Sequence, residues 1–273
     1  MYRRTTSLAG PTRPPVAQRS ARDIYQMTIT ATVSPIIYGP FTTQRLARTL
    51  TIDLCAARNH MVVSKDSTLP RSSLVVTTAA TRIIELSKAG EKVKSIVIIG
   101  SSADPTEHPD LREASENFRT LCNKWFPRAK LYIQSNCANI GAVDVRAALS
   151  IYDRILARFE WGTTKTYSAL TGGKSTDFAV LVKDLHYFDN LIVMASIYRG
   201  DQDNSTDNEV KAWIKRLAEI KPNSIQILKG LPFNPKERKL RAAPTGTIKK
   251  IVDLIGEETG LAVSVHDDEN LMR

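Results

Sequence analysis

No stretch of this sequence is apolar over the roughly 18–20 residues that a membrane-spanning helix needs, which excludes a span. Its longest apolar stretches, SIVIIG (95–100) and NLIVMASIY (190–198), have the length of buried strands. Cysteine is scarce: Cys55, Cys122 and Cys137 lie far apart with no CxxC pair. That excludes a disulfide framework and a four-cysteine zinc site, and it makes a reducing, cytoplasmic setting the default. The four histidines, His60, His108, His186 and His266, are equally dispersed and form no HExxH-type pair, so no metal is expected. Acid is missing from one end, where residues 1–22 hold five Arg and no Asp or Glu.

What is present is globular composition, 42% hydrophobic and 24% charged, enough for one large domain or two small ones. The net charge of +10 is unevenly placed: residues 1–22 carry +5, residues 215–250 carry +8, and the rest sums to −3. Local basicity favours a polyanionic partner over a generally sticky surface. The plainer reading, a disordered tail plus a solvated helix and loop, stays open beside it.

Residues 1–35 contain Pro11, Pro14 and Pro15 and little periodic apolar content, which predicts a disordered basic arm ahead of a folded unit over 36–273. An Arg- and Ser-rich, acid-poor start also resembles an organelle transit peptide, although the prolines would interrupt its helix. From residue 49 short apolar runs alternate with helical patterns. TLTIDLC, SIVIIG, KLYIQS, RILARF, NLIVMASIY, SIQIL and AVSV read as seven strands. TTAATRIIELSKAG reads as a helix with Gly90 as its C-cap, and LREASENFRTLCNKW, VDVRAALS, DFAVLVKDL and TIKKIVDLIGEET read as helices. NEVKAWIKRLAEI is amphipathic, with Val210, Trp213, Ile214 and Leu217 on one face. Such alternation implies a parallel sheet covered by helices, either a barrel or an open doubly wound sheet. In both, function collects where strands end. The loops to read are therefore 55–70, 100–110, 135–142, 159–175, 199–208 and 229–246.

Taken in order, these loops resemble the wybutosine-pathway-like branch of the radical SAM superfamily. YGPFTTQRLARTLTIDL (38–54) resembles that branch's GPVPSRRLGRSLGIDL, and IGSSADPTEHPDL (99–111) resembles FSGSGEPTLNPDL. YIQSNCANI (132–140) resembles a third-strand TNG segment, ARFEWGTTKTYSALTGG (157–173) resembles PSLDAGTEETFRRINRP, and YRGDQDNSTDNEV (198–210) resembles KGLNDTEEEL. The matches run in register over about residues 38–232.

The resemblance implies an α/β fold, a partial (βα)6 barrel. It also implies a Cys-x3-Cys-x2-Cys loop holding a 4Fe–4S cluster. Here the three positions fall on His60, Ser64 and Ser67, and a serine hydroxyl, protonated near neutral pH, is a poor iron ligand. The resemblance is thus to a degenerate member without its cluster, and radical chemistry is not expected. The former S-adenosylmethionine edge falls on Gly100, Ser101, Ser102, Ala103 and Asp104, with Ser101 and Ala103 in place of glycines and Asp104 in place of a glutamate. A lost glycine restricts backbone approach to a ligand. Whether S-adenosylmethionine still binds stays open.

Asp104, Asn136, Glu160 and Asn204 are the pocket candidates that the resemblance implies. Each also has a plainer reading: Asn136 as a turn residue tolerating a left-handed backbone, Glu160 as the partner of Arg158, His60 as a solvated loop histidine. The favoured function is a pseudoenzyme serving as a binding or regulatory module. Its partner would be RNA rather than DNA, contacted through Lys229, Phe233, Lys236, Arg238, Lys239 and Arg241, or else a protein subunit such as an active homologue. The alternative is a non-radical enzyme that uses the mouth pocket for acid–base chemistry.

Overall fold

In a computed structural model the described residues are 35–56, 69–137, 139–231, 239–267 and 271. The seven strands expected from the alternation all form, and they lie side by side in the order in which the chain visits them. They are β2 (Ala47–Asp53), β3 (Ser95–Ile99), β4 (Lys130–Ser135), β5 (Arg154–Arg158), β6 (Leu191–Ser196), β8 (Ser224–Lys229) and β10 (Val263–Asp267). Every neighbouring pair among them is parallel. A doubly wound sheet would reverse its strand order partway. This order does not reverse, so the sheet is a curled half barrel whose edges stay open.

An eighth strand was not foreseen. β1 (Ile37–Thr43) pairs antiparallel with β2 and forms one edge, and its register shifts between Tyr38 and Phe41 across Gly39 and Pro40. Proline has no N–H to give a ladder, so it is tolerated on an edge strand like this one. The small ladder of β7 (Tyr198–Arg199) with β9 (Arg241–Ala242) was likewise unforeseen.

The helices are α1 (Ser72–Lys88), α2 (Leu111–Trp125), α3 (Val143–Leu149), α4 (Thr164–Thr171), α5 (Ser175–Leu185), α6 (Asp207–Ile220) and α7 (Thr245–Thr259). The foreseen face of α6 holds at the residue level, with Val210, Trp213, Ile214 and Leu217 all buried. At α1 the C-cap is Ala89, and Gly90, at φ +75°, stands one residue beyond it. α4 was read as loop. It is only eight residues long, and Thr163 caps it by accepting from Thr166 N.

Period-2 alternation in the strands sorts the core into two layers. Leu50, Ile52, Ile96, Ile98, Leu131, Ile133, Ile155 and Val193 pack against residues from all seven helices in one continuous cluster. The intervening residues, Val97, Ile99, Leu156, Ile192 and Met194, form a separate cluster that contains no helical residue. Helices therefore cover one face of the sheet, and the other face is the inside of the half barrel. The β1–β2 turn closes the inside at the strands' N-terminal end. Leu46 joins the inner cluster, while Arg45 donates to Gln226 Oε1 and Met194 Sδ at 3.2 Å each. The opposite end, where the strands finish, is the mouth. No described helix is long and apolar enough to cross a membrane.

Candidate functional site

Four loop segments meet at the mouth. After β3 the chain turns at Gly100, where an added Cβ would sit 2.0 Å from the Ala103 carbonyl oxygen, so only glycine fits. The turn delivers Asp104 to the N-cap of a single 3-10 turn, Pro105–Glu107. Its carboxylate is heavily used. Oδ1 accepts from Thr106 N at 3.0 Å, Thr106 Oγ1 at 2.6 Å and Ser135 Oγ at 2.7 Å, and Oδ2 accepts from Asn136 N at 2.6 Å. Asp104 thus ties the β3 loop to the end of β4. A carboxylate with that many donors is stabilised in place and has little capacity left for a ligand.

Asn136 lies beside it, exposed at the tip of β4, and the left-handed residue of that turn is Cys137 at φ 58°, not Asn136. Ser101 and Ser102 are exposed, and Ser102 Oγ donates to the Cys55 carbonyl. Gly100, Asp104, Gln134, Asn136, Arg158 and Trp161 contribute to the lining of a cavity of about 350 Å³. The structure therefore collects Gly100, Asp104 and Asn136, all picked out from sequence, around one space.

Glu160 and Asn204 hold the next sector. Glu160 is 1% exposed. Its Oε2 accepts from Ser196 N at 2.8 Å and meets Arg158 Nη1 at 3.5 Å, while Oε1 has no partner among the described residues. Burial raises its pKa, opposed in part by Arg158 and the Ser196 N–H. The pairing with Arg158 read from sequence is therefore present, but long. Asn204 braces backbone: it donates to the carbonyls of Glu160 and Ser196 at 3.1 and 2.9 Å and accepts from Tyr198 N at 2.8 Å. All its reach is spent inside the turn.

Sequence reasoning missed several residues here. Asp53 ends β2 with its side chain on the inner face, fully buried. Its Oδ1 accepts from Cys55 N and Ser101 N at 3.1 Å each, Oδ2 has no partner among the described residues, and burial raises its pKa. Glu209, in the first turn of α6, accepts from Gly162 N, Thr163 N, Thr163 Oγ1 and Thr166 Oγ1, which seats α4 on α6. Gln134 and Arg158 were also passed over as lining residues. The period-2 pattern carried the signal, since both fall on the inner face of their strands.

The three thiols occupy separate places, each at most 1% exposed. Cys122 sits within α2 with Sγ toward the Phe126 and Ala129 carbonyls, Cys55 Sγ faces the Asp104 carbonyl at 3.7 Å, and Cys137 Sγ faces the Ser135 carbonyl at 3.8 Å. Burial pushes the thiols of Cys55 and Cys137 up to about 12, so both stay protonated near neutral pH. His60, Ser64 and Ser67 lie outside the described residues, as do Phe233, Lys236 and Arg238.

Of the basic positions that are described, Lys229, Lys239, Arg241, Lys249 and Lys250 are exposed. Lys229 ends β8, Arg241 begins β9, and Lys249 and Lys250 lie in the first half of α7. Lys229 is partly neutralised by Asp267 at 3.3 Å.

The fold and site define an open half barrel of α/β units with a small polar cavity at its mouth. No protein-family model matches the sequence, and no curated protein matches it at a significant level. Among solved structures, one similar in fold is a domain of pyruvate-formate lyase-activating enzyme from Bacteroides vulgatus ATCC 8482. It is 9% identical, with a TM-score of 0.46 over 63% of this chain and 98% of that one. The assignment of architecture rests on the strand order described above.

Proposed function

We propose that this chain is a cluster-less half barrel of radical-SAM type that works as a binding module, docking a polyanion, RNA rather than DNA, on its basic segment 229–241. The observation that carries the reading is the placement of the thiols. A cluster loop needs three accessible thiolates within a few residues, and iron needs them deprotonated. Here the three cysteines are buried on three separate elements and two are held well above neutral pH. The residues present do not fit the cluster. The spent carboxylate of Asp104 speaks against S-adenosylmethionine in the same way.

Two measurements follow from this reading. Anaerobic reconstitution with ferrous iron and sulfide is expected to leave the protein colourless and free of iron. A stoichiometric sulfide-to-iron charge-transfer band would overturn the cluster-less reading. In a thermal-unfolding titration, S-adenosylmethionine at millimolar concentration is expected to leave the midpoint unmoved. A ligand at a hundred times its dissociation constant would add about 2.7 kcal/mol and be plainly visible.

The basic segment 229–241 is tested by replacing Lys236, Arg238, Lys239 and Arg241 with Ala and measuring affinity for single-stranded RNA against salt. Each lost phosphate contact should lower the log–log salt slope by about 0.7, so the quadruple variant should lose about 3. An unchanged slope would remove the segment from the interface.

A second reading is kept for Glu160 alone. A buried carboxyl with a raised pKa and an oxygen without a partner among the described residues suits proton transfer, and in a non-radical enzyme it would act from behind the mouth cavity, which Arg158 lines and Glu160 does not.

A further inference from the structure

Beyond RNA docking on the basic segment, we propose that the mouth cavity binds a small oxyanion, a carboxylate or a phosphate ester, with Arg158 as the anchor and Gln134 as a second donor. Gln134 pairs with Leu156 across the β4–β5 ladder, and Arg158 follows two residues later on the same inner face. The two side chains are therefore diagonal neighbours on adjoining strands, within mutual reach at the cavity floor.

Both hold donors in reserve. A guanidinium carries five N–H groups in a fixed fork. Among the described residues, Arg158's side chain makes one hydrogen bond, to Glu160 Oε2 at 3.5 Å, the outer limit for such a bond. The carboxamide of half-buried Gln134 has no partner among the described residues. Glu160 compensates the guanidinium poorly, because burial drives it toward its neutral form while the Ser196 N–H takes its nearer oxygen. A cation held in a low-dielectric recess without a matched counter-charge is poised to recruit one.

The rest of the cavity fits the body of such a ligand. Pro105, Leu170 and Trp161 give the lining apolar surface, and about 350 Å³ is at the small end of the range for small-molecule sites. The one carboxylate on the space, Asp104, is already held by four donors, and Glu160 does not line it, so Arg158 sets the charge a ligand meets.

The experiment is a calorimetric titration of the full chain with benzoate, phenyl phosphate, acetate and inorganic phosphate. The expected result is saturable binding of benzoate or phenyl phosphate, tighter than acetate or inorganic phosphate respectively, because the apolar surface packs the ring. Tighter benzoate would identify a carboxylate ligand, and tighter phenyl phosphate a phosphate ester. Arg158→Gln should weaken the better probe at least about tenfold, whereas Glu160→Gln should leave it unchanged or tighter. Absence of binding by all four probes at millimolar concentration would overturn the proposal. So would wild-type affinity in Arg158→Gln, or loss of binding in Glu160→Gln. Should Arg158→Gln not fold, Arg158→Lys keeps the charge but loses the fork, and it must bind more weakly than wild type for the assignment to stand.

Discussion

Asp104→Ala is expected to lower the unfolding free energy by about 3 kcal/mol, a drop of about 6–12 °C in the midpoint for a unit of this size. Four donors converge on this carboxylate, and three of them, Thr106 N, Thr106 Oγ1 and Ser135 Oγ, belong to residues almost wholly buried. Deleting the acceptor leaves those donors without partners where water cannot easily replace it, which costs more than the bonds are worth in net stability. Asp104→Asn should fall between the two. It keeps an oxygen for Thr106 and Ser135 but turns an N–H donor toward Asn136 N. A urea titration decides the matter: a loss below about 1 kcal/mol would mean that the carboxylate is not a brace, and it would return Asp104 to the list of ligand-binding groups.

Gly162→Ala is expected to cost about 3 kcal/mol, at the upper end of the range for overpacking a close-packed junction. An added Cβ at Gly162 would lie 2.2 Å from the Glu209 carbonyl oxygen and 2.7 Å from Trp213 N. Both atoms are backbone of α6, so no side chain can swing aside. The helix would have to withdraw, and Glu209 would loosen from the Gly162 and Thr163 N–H groups that it holds at 3.1 and 3.3 Å. Gly256→Ala, on α7 with nothing within 4 Å of the new methyl, is the matched control. It should raise stability by about 0.5–1 kcal/mol, because alanine loses less backbone entropy in a helix. Equal midpoints for the two variants would refute the close approach of α6 to the β5–α4 loop.

Both predictions mark where sequence reading stops. Asp104 and Glu160 stand out in a loop because they are acidic residues at strand ends, and a resemblance to a binding motif gives them a role. What they touch is set by residues far away in the chain: Ser135 and Asn136 for Asp104, Ser196 for Glu160. Asn204 shows the same thing, since its amide closes a turn on the Glu160 and Ser196 carbonyls and has none left for a ligand. Arg158 was legible only as a partner for Glu160. Its standing as a lining residue depends on the curl that brings β4, β5 and the β3 loop around one space.

By itself the sequence determined the alternation of seven strands with helices, the boundaries of α2 and β4 to the residue, the apolar face of α6 and the absence of a three-cysteine loop. Each is a local property: a period of 2 or 3.6, a cap, or the identity of a residue. Periodicity left a barrel and a doubly wound sheet both open, because strand order is a long-range pairing that no local period encodes. The resemblance implied the partial barrel, and the strand order of the folded chain bears that out. Tertiary structure alone added β1, whose Gly-Pro interruption hides its period, and the β7–β9 ladder, whose two-residue strands are too short to have one. Finally, it decided which polar groups at the mouth are spent on the fold and which keep donors in reserve, since hydrogen-bond satisfaction depends on neighbours that the chain brings together only when folded.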